Sequence, residues 1–460
     1  MSSLWFDKPT HQRVWALAWP MILSNLSVPL LGLVDTAVIG HLPSSHYLAA
    51  VAAGSVFFTT LYWAFGFLRM GTTGMVSQAV GREDNGQNRF LLAQSLILAA
   101  FIGGFIWLVS GPLIHWGLPL LASQESIGEE AFRYAEIRIY GAPAVLCNYA
   151  LLGWFLGNQN SRIPLLLLLS SNLLNMLLDV IAVYGLNMTS DGVALASVIA
   201  EYGSCALGLT LAWRLQKQLK QTTPSQQAAP QWQLLAKLSG YVHLISVNRY
   251  LFIRTLAILF SIAFFTRQGS LQGPDMMAAN AVLLNFLLLI SNGLDGFAHA
   301  TEALSGKAYG SKKQRDFYQV IAASLLWSLA TALLLSGIFL VAGEWIIAGL
   351  TGIDTVRTLA NEYLIWVIFL PLVGVWSFLI DGIFVGTTQA KAMQNTMLFS
   401  VFLVFLPLWW FTQGLGNQGL WLAFIAMFVS RGLTGLWVFW RLCQTDGGYY
   451  VHFAQGRSQP

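Results

Sequence analysis

Long apolar segments separated by short polar ones run through the whole sequence. Twelve of them are long enough to cross about 30 Å of hydrocarbon at about 1.5 Å per residue of helix. A soluble domain could not bury so much apolar sequence, since 56% of the 460 residues are hydrophobic and only 10% are charged. We therefore predict an all-α polytopic membrane protein. The predicted spans, numbered 1 to 12, are 14–40, 47–75, 90–114, 129–155, 161–185, 192–213, 238–266, 276–305, 317–343, 357–386, 392–413 and 418–440.

Basic residues are distributed unequally between the two sets of loops. With the N-terminus in the cytoplasm, most of the 24 Lys and Arg residues fall in cytoplasmic segments and only three in external ones. Cytoplasmic loops of membrane proteins carry such an excess, so both termini are predicted to be cytoplasmic. The basic residues form no patch, which argues for the bilayer as partner and against nucleic acid.

The two halves of the chain resemble each other. A shift of 229 residues places 47–81 on 276–310 and 152–162 on 381–391, with a GxxxG motif in each member of the second pair. Two matches at one offset indicate an internal repeat. Six spans separate the repeats, so they have the same orientation and are predicted to form two six-helix lobes related by a pseudo-two-fold axis along the membrane normal.

The repeat sets the predicted domain boundaries. An N-lobe of spans 1–6 covers residues 1–216, and a C-lobe of spans 7–12 covers 237–460. Between them, residues 217–236 read as a polar cytoplasmic linker. Two lobes with a cleft between them are the arrangement expected of an alternating-access transporter, for which a monomer suffices.

Two acids lie within spans of the N-lobe that contain no basic residue, apart from Arg162 at the cytoplasmic start of span 5. Asp35 interrupts "LLGLVDTAVIG" in span 1, where a carboxylate near the bilayer centre costs about 2.5–3.5 kcal/mol. Asp179 in span 5 follows Asn172 and Asn175 at helical spacing, so all three share one face. A buried acid without a cation is favoured in its neutral form and can carry a proton. We expect Asp35 and Asp179 to couple transport to proton entry.

The other polar residues inside spans fall into two predicted groups, a structural network and a cavity lining. For the C-lobe acids Asp295 and Asp381, the arginines Arg249 and Arg254 of span 7 lie at comparable depth, which predicts a structural polar network. Residues expected to line a cavity for flat or cationic amphiphiles, together with the span 5 asparagines, are Tyr134, Tyr140, Asn148 and Trp63. The three cysteines form no CxxC motif and no metal cluster was recognised, so no metal or cofactor other than the coupling ion is predicted.

Four motifs resemble the multidrug and toxic compound extrusion (MATE) family, in its DNA-damage-inducible F branch. They are "WPMILSNLSVPLLGLVDTAVIG", "NLLNMLLDV", "NRYLFIRTL" and "LDGFAHATEALSGKAYG". The resemblance implies twelve helices in two V-shaped lobes and cation-coupled export. It also implies that Asp35 is the protonation site, that Asn175 and Asp179 assist it, and that Pro20 is a hinge in span 1. A tyrosine of span 4, either Tyr134 or Tyr140, is implied to contribute.

The sequence thus predicts a proton-coupled multidrug antiporter of the bacterial inner membrane that exports toxic amphiphiles, often cationic. A second hypothesis keeps the fold and replaces the proton by sodium. A third replaces the drug by a lipid-linked intermediate that is flipped across the bilayer. A membrane enzyme is a fourth class, for which no convergent nucleophile, base or metal cluster was recognised.

Overall fold

A computed structural model of the chain describes residues 7–39, 45–121, 128–222 and 237–444. It also describes Trp5, Leu235, Tyr449, His452 and Phe453. In the helix of span 1, the side chains that follow Ser27 lie outside the described set. Most of the predicted linker 217–236 lies outside it too, although the helix of span 6 continues as far as Thr222.

Every secondary-structure element in these residues is helical, and no strand occurs among them. Span 1 is Lys8–Ile39, span 2 is Ser45–Ala64 with Phe67–Gly81, span 3 is Asn85–Leu108, and a shorter helix Ser110–Leu121 follows. Span 4 is Glu129–Arg138, Ile139–Gly141 and Ala142–Gly157, span 5 is Arg162–Val180 with Ile181–Gly185, and span 6 is Ser190–Thr222. Span 7 is Leu238–Ser270, span 8 is Pro274–Gly310, span 9 is Gln314–Leu350 and span 10 is Asp354–Gly386. Span 11 is Ala390–Phe399, Ser400–Phe405, Leu406–Thr412 and Gln413–Leu415, and span 12 is Asn417–Gln444.

These helices confirm the predicted fold class. From Ala49 onwards, eleven helices in the described part of the chain are long and apolar enough to cross a membrane. The helix Lys8–Ile39, 32 residues long, corresponds to predicted span 1. The helix ends fall within a few residues of most predicted span ends, because the polar loops that separate the apolar runs are short.

Proline explains two of the local departures from regular α-helix. In span 4, Pro143 has no backbone N–H to donate to the preceding turn, and the three residues Ile139–Gly141 tighten into a 3-10 turn just before it. In span 11, the π-helical turn Ser400–Phe405 precedes Pro407 in the same way. At Pro20 the helix of span 1 continues without interruption, so its role as a hinge stays a prediction.

The chain forms two compact units. One, here the N-unit, is Leu23–Ile245; the other, the C-unit, is Met1–Ile22 together with Ser246–Pro460. The N-unit packs its core around Trp154 and Phe155 of span 4. A larger aromatic core fills the C-unit, in which Phe265 contacts Trp421 and Phe424 at ring distances of 4.9 and 4.8 Å.

The GxxxG motifs make the same helix contact in both units. A Cβ on Gly153 of span 4 would lie 2.4 Å from the Arg69 carbonyl oxygen of span 2, and one on Gly382 of span 10 would lie 2.7 Å from the Ala298 carbonyl oxygen of span 8. The shift of 229 residues relates Gly153 to Gly382 and also Arg69 to Ala298. Close helix approach at small residues is therefore a repeated feature of the scaffold.

Candidate coupling and substrate site

Span 5 presents one polar face to the interior of the N-unit. Asn172, Asn175 and Asp179 are all buried, and the Asp179 side chain has no exposed surface at all. Leu173 and Leu177 lie on the opposite, exposed face. The helical spacing read from the sequence therefore places these three polar groups together, as we expected.

Hydrogen bonds connect this face to spans 1 and 6. Asn172 donates its amide to the Ser27 hydroxyl of span 1 at 3.1 Å. The Asn175 amide satisfies its neighbours when its nitrogen donates to Asp179 Oδ2 at 3.0 Å and its oxygen accepts from the Ser197 hydroxyl of span 6 at 3.0 Å. The opposite orientation would set the amide oxygen against the carboxylate. A hydrogen-bond relay thus runs from span 6 through Asn175 to the buried acid.

Asp35 lies on the helix of span 1, and its side chain is outside the described residues. Ser27 precedes it by eight residues in the same helix. Because Ser27 accepts from Asn172, span 1 contacts the polar face of span 5 two turns before Asp35. The role of Asp35, and its pairing with Asp179, stay predictions.

Arg138 of span 4 is a basic residue inside a membrane span that could neutralise a buried acid such as Asp179. Its guanidinium instead binds Glu201 of span 6 through two hydrogen bonds of 2.7 and 2.5 Å. It also lies over the rings of Phe58 and Tyr62, at 5.6 and 5.7 Å from their centroids. The bidentate pair and the aromatic faces hold the guanidinium on Glu201.

Gly141 of span 4 leaves room for this ion pair because it has no side chain. A Cβ on Gly141 would lie 2.1 Å from Glu201 Oε2. Ser197 and Glu201 are one turn apart on span 6, so the relay to Asp179 and the Arg138–Glu201 pair occupy neighbouring levels of the N-unit. Glu201 therefore has an arginine as its partner, while Asp179 accepts a hydrogen bond from the Asn175 amide.

The predicted cavity residues separate into different environments. Tyr134 is 3% exposed and its ring contacts Gly54, whereas Tyr140 is 53% exposed and lies 5.9 Å from the Trp107 ring. Trp63 is exposed. Asn148 donates to the Glu201 carbonyl at 3.1 Å, so it lies beside the Arg138–Glu201 ion pair.

Tyr140 lines a cavity of about 510 Å³ at the start of span 4. The other lining residues come from the helix Ser110–Leu121 and from span 4, and they are Ser110, Gly111, Ile114, His115, Phe132, Glu136, Ile137 and Ile139. A volume of this order is typical of small-molecule sites. Tyr140 therefore belongs to this cavity, while Tyr134 is part of the core.

In the C-unit, one aspartate binds two arginines. Asp381 of span 10 accepts from Arg254 of span 7 and from Arg431 of span 12. Arg249 is exposed, and its described partner is the hydroxyl of the adjacent Tyr250 at 3.1 Å. The pairing of Arg254 follows the sequence reading, and that of Arg249 differs from it. Asp295 lies near enough to Arg431 to interact with it electrostatically.

Sequence reasoning missed two of these partners. Arg431 was not singled out in the sequence, although a buried arginine is as costly within a span as a buried acid and needs a counter-charge. His299 lies 3.5 Å from Glu302 within span 8. In the described part of the chain, no group of three or more His, Cys, Asp or Glu side chains converges as a metal site.

Comparisons with known proteins agree with this architecture. The MatE family model matches residues 20–181 and again residues 251–411. One match lies in each half of the chain, in agreement with the internal repeat found in the sequence. DNA damage-inducible protein F of Escherichia coli (strain K12) is 41% identical over 451 residues, covering 97% of this chain and 95% of the relative. Multidrug resistance protein NorM of Vibrio vulnificus (strain YJ016) is 23% identical over 453 residues, covering 94% and 95%.

Solved structures share the fold. The crystal structure of the Vibrio cholerae MATE transporter VcmN, in an aspartate-to-asparagine variant, superimposes with a TM-score of 0.83 at 19% identity and covers 98% of this chain and 100% of that one. A MATE structure described as being in the bent conformation gives a TM-score of 0.80 at 18% identity and covers 99% of each chain. Members of the MATE family are transporters and not enzymes, which confirms the prediction that the chain is a transporter. The chain belongs to the MatE family of multidrug and toxic compound extrusion transporters.

Proposed function

We propose that this protein is a proton-coupled antiporter that exports amphipathic, often cationic, compounds across the bacterial inner membrane. Both termini face the cytoplasm and a monomer carries out the cycle. Proton entry through Asp35 and Asp179 of the N-unit drives export. Support for the cargo class comes from the relatives that are named as multidrug resistance proteins.

The observation that carries the proposal is the setting of Asp179. Its side chain is fully buried and is held by the Asn175 amide, while Arg138 is bound to Glu201. An amide donor tolerates both the ionised and the neutral carboxyl, whereas a bidentate arginine holds a carboxylate in its ionised form. Asp179 is therefore better suited than Glu201 to gain and lose a proton during a cycle.

Protonation of Asp179 would be transmitted through the relay. A neutral carboxyl attracts the Asn175 amide less strongly, which loosens its hold on Ser197 of span 6. Since Asn172 on the same face binds Ser27 of span 1, the packing of spans 1, 5 and 6 depends on the charge of one group. A π-helical turn at Ile181–Gly185 follows Asp179 directly, and such turns are frequent at functional sites.

The available driving force is sufficient for drug export. One charge that crosses the membrane potential releases about 2.3 kcal/mol per 100 mV. Since about 1.4 kcal/mol corresponds to a tenfold ratio, this supports roughly a fortyfold concentration gradient for a coupled neutral substrate.

A sodium-coupled antiporter of the same fold is the second candidate, because carboxylate and amide oxygens can bind a hard cation. Two observations favour the proton. The Asn175 amide meets the hydrogen-bonding needs of Asp179 and Ser197 together when its nitrogen is assigned to the carboxylate, with no cation between them. In the C-unit, Asp381 already accepts from two guanidinium groups.

The test uses proteoliposomes with a preset pH gradient in sodium-free buffer. Addition of a cationic dye should collapse the gradient in the wild type and fail to do so in Asp35→Asn and Asp179→Asn. Asp354→Asn is the matched control, because this side chain is 93% exposed at the start of span 10. A wild type that remains silent until sodium is added would establish sodium coupling. Gradient collapse by both N-unit variants at the wild-type rate would remove these acids from the mechanism.

A further inference from the structure

Two of the three cysteines come together within the N-unit. Cys147 of span 4 is half-buried and Cys205 of span 6 is buried. Their side chains lie within hydrogen-bonding reach of each other. Cys443 is in the C-unit, where its sulfur accepts from the Tyr318 hydroxyl at 3.5 Å.

The packing of spans 4 and 6 fixes this pair from both sides. Asn148, the residue after Cys147, donates to the carbonyl of Glu201, one turn before Cys205, at 3.1 Å. After the pair, a Cβ on Gly208 would lie 2.9 Å from Leu151 Cδ1. On span 6, Cys205 lies between Glu201 and Gly208, and on span 4, Cys147 lies one residue before Asn148 and one turn before Leu151, so both cysteines belong to the same helix contact. The meeting of the thiols is thus a result of backbone packing as well as of side-chain position.

The surroundings of the pair favour a soft ligand. Cys205 belongs to an apolar cluster with Leu151 and Leu167, against which Cys147 packs. The nearest described acceptor for the Cys147 thiol is the Leu96 carbonyl oxygen, at 4.0 Å. No third histidine, cysteine or carboxylate joins the two sulfurs among the described residues. Zinc needs about four such ligands.

We propose that Cys147 and Cys205 form a binding site for one thiophilic metal ion of low coordination number, for which Hg(II) is the probe. Soft sulfur ligands select soft metal ions. Binding forms two metal–sulfur bonds, breaks the two S–H bonds and releases two protons: Hg²⁺ + 2 RSH gives RS–Hg–SR + 2 H⁺. The site does not include the coupling acids, so metal binding can be tested separately from proton antiport.

Occupation of the site would join span 4 to span 6. Cys205 lies one helical turn beyond Glu201 and two beyond Ser197, the residue that the relay to Asp179 uses. A bound metal would therefore fix the spacing of the two helices that carry the Arg138–Glu201 pair. Soft metal ions bound by Cys147 and Cys205 would thus act on the N-unit directly.

The experiment measures mercury retention by purified full-length protein in detergent. One equivalent of mercuric chloride is added, and the sample is washed with a dilute monothiol that removes mercury held by single thiols. Retained mercury and free thiols are then counted under denaturing conditions. The wild type should retain one mercury per chain and keep one free thiol, whereas Cys443→Ser should retain one mercury and keep none.

Cys147→Ser and Cys205→Ser should retain about 100-fold less mercury, because the second thiol acts at a high effective concentration only when both are present. Comparison of the wild type with Cys443→Ser requires no change at the site and decides the question even if a serine variant fails to fold. The proposal is overturned if the wild type loses its mercury in the wash, or if Cys443→Ser retains none.

Discussion

Arg138 and Glu201 form a bidentate ion pair between spans 4 and 6, with nitrogen–oxygen distances of 2.7 and 2.5 Å. Both side chains are 14% exposed. The pair gives Glu201 a counter-charge, whereas the hydrogen bond described for Asp179 comes from the Asn175 amide.

Removal of either member of this pair should be costly. We expect Arg138→Met to destabilise the protein by about 3–5 kcal/mol, because Glu201 is left as an uncompensated buried charge. The double variant Arg138→Met/Glu201→Met should recover much of that loss. Free energies of unfolding in mild detergent give both values.

Arg133→Met is the matched control on the same helix. Arg133 is 60% exposed and lies 3.2 Å from Asp191, so its loss should cost at most about 1 kcal/mol. Equal effects at Arg133 and Arg138 would contradict the special position of the buried pair.

Equivalent glycines in the two repeats should respond alike. Gly153→Ala and Gly382→Ala each place a methyl group against a backbone carbonyl, at 2.4 and 2.7 Å, which the neighbouring helix can relieve only by moving. Each should destabilise the protein by about 1–3 kcal/mol. Thermal unfolding of the two variants in parallel measures this.

Gly104→Ala of span 3 provides the contrast, since nothing lies within 4 Å of the added Cβ. This variant should be neutral or more stable by about 0.5–1 kcal/mol, as glycine is unfavourable within a helix. A loss at Gly104 as large as that at Gly153 would show that contact with the neighbouring helix does not determine the effect.

The C-unit network should be needed for folding and not for coupling. Asp381→Leu removes the shared acceptor of two buried arginines and should destabilise the protein by about 3–5 kcal/mol. The molecules that remain folded should still collapse a pH gradient on addition of drug, at the wild-type rate per folded protein. A well-folded Asp381→Leu variant that no longer couples would place the proton pathway in the C-unit.

Asp7 at the start of span 1 offers a test of pH dependence outside the membrane. Its carboxylate accepts from the Thr10 hydroxyl at 2.5 Å and from the Thr10 backbone N–H at 3.2 Å, and these bonds lower the pKa of Asp7 below 3.8. A lowered pKa in the folded state stabilises the protein above the ordinary pKa of Asp, and this contribution is lost as the pH falls through the lowered value.

Thr10→Val removes the hydroxyl and should bring the pKa of Asp7 closer to its ordinary value. Titration of the Asp7 carboxyl by NMR measures the change, and Thr358→Val, a threonine in the first turns of span 10 that bonds only to its own helix backbone, serves as control. An unchanged pKa in Thr10→Val would show that the backbone N–H alone holds the carboxylate.

Periodicity and hydropathy were sufficient for the helices and for the shared face of Asn172, Asn175 and Asp179. They could not choose between Tyr134 and Tyr140. These residues are six positions apart and point to different faces of an apolar helix, and which face is buried depends on Gly54 of span 2. The partner of Arg138 was missed for the same reason, because the helical period gives the direction of a side chain and not the helix that it meets.

Arg431 shows a second limit. Its pairing with Asp381 brings together residues 50 positions apart on spans 10 and 12, and the sequence contains other acids and arginines at similar depth. Charge balance predicts that a buried arginine has a partner, but only the packing of the C-unit selects Asp381 over Asp295. Arg249 turned outward although its depth in span 7 allowed a pairing.

The two compact units do not coincide with the two halves of the chain. Residues 1–22 pack in the C-unit, while span 7 up to Ile245 packs in the N-unit. The beginning of the first helix of each half is therefore part of the unit that the other half forms. A chain cut between spans 6 and 7 would give two fragments that each lack part of their own core. If the repeats arose by duplication, the half-length ancestor would have exchanged this segment with a second copy of itself. Fusion of two such copies would join a segment-swapped dimer into one chain whose halves do not fold separately.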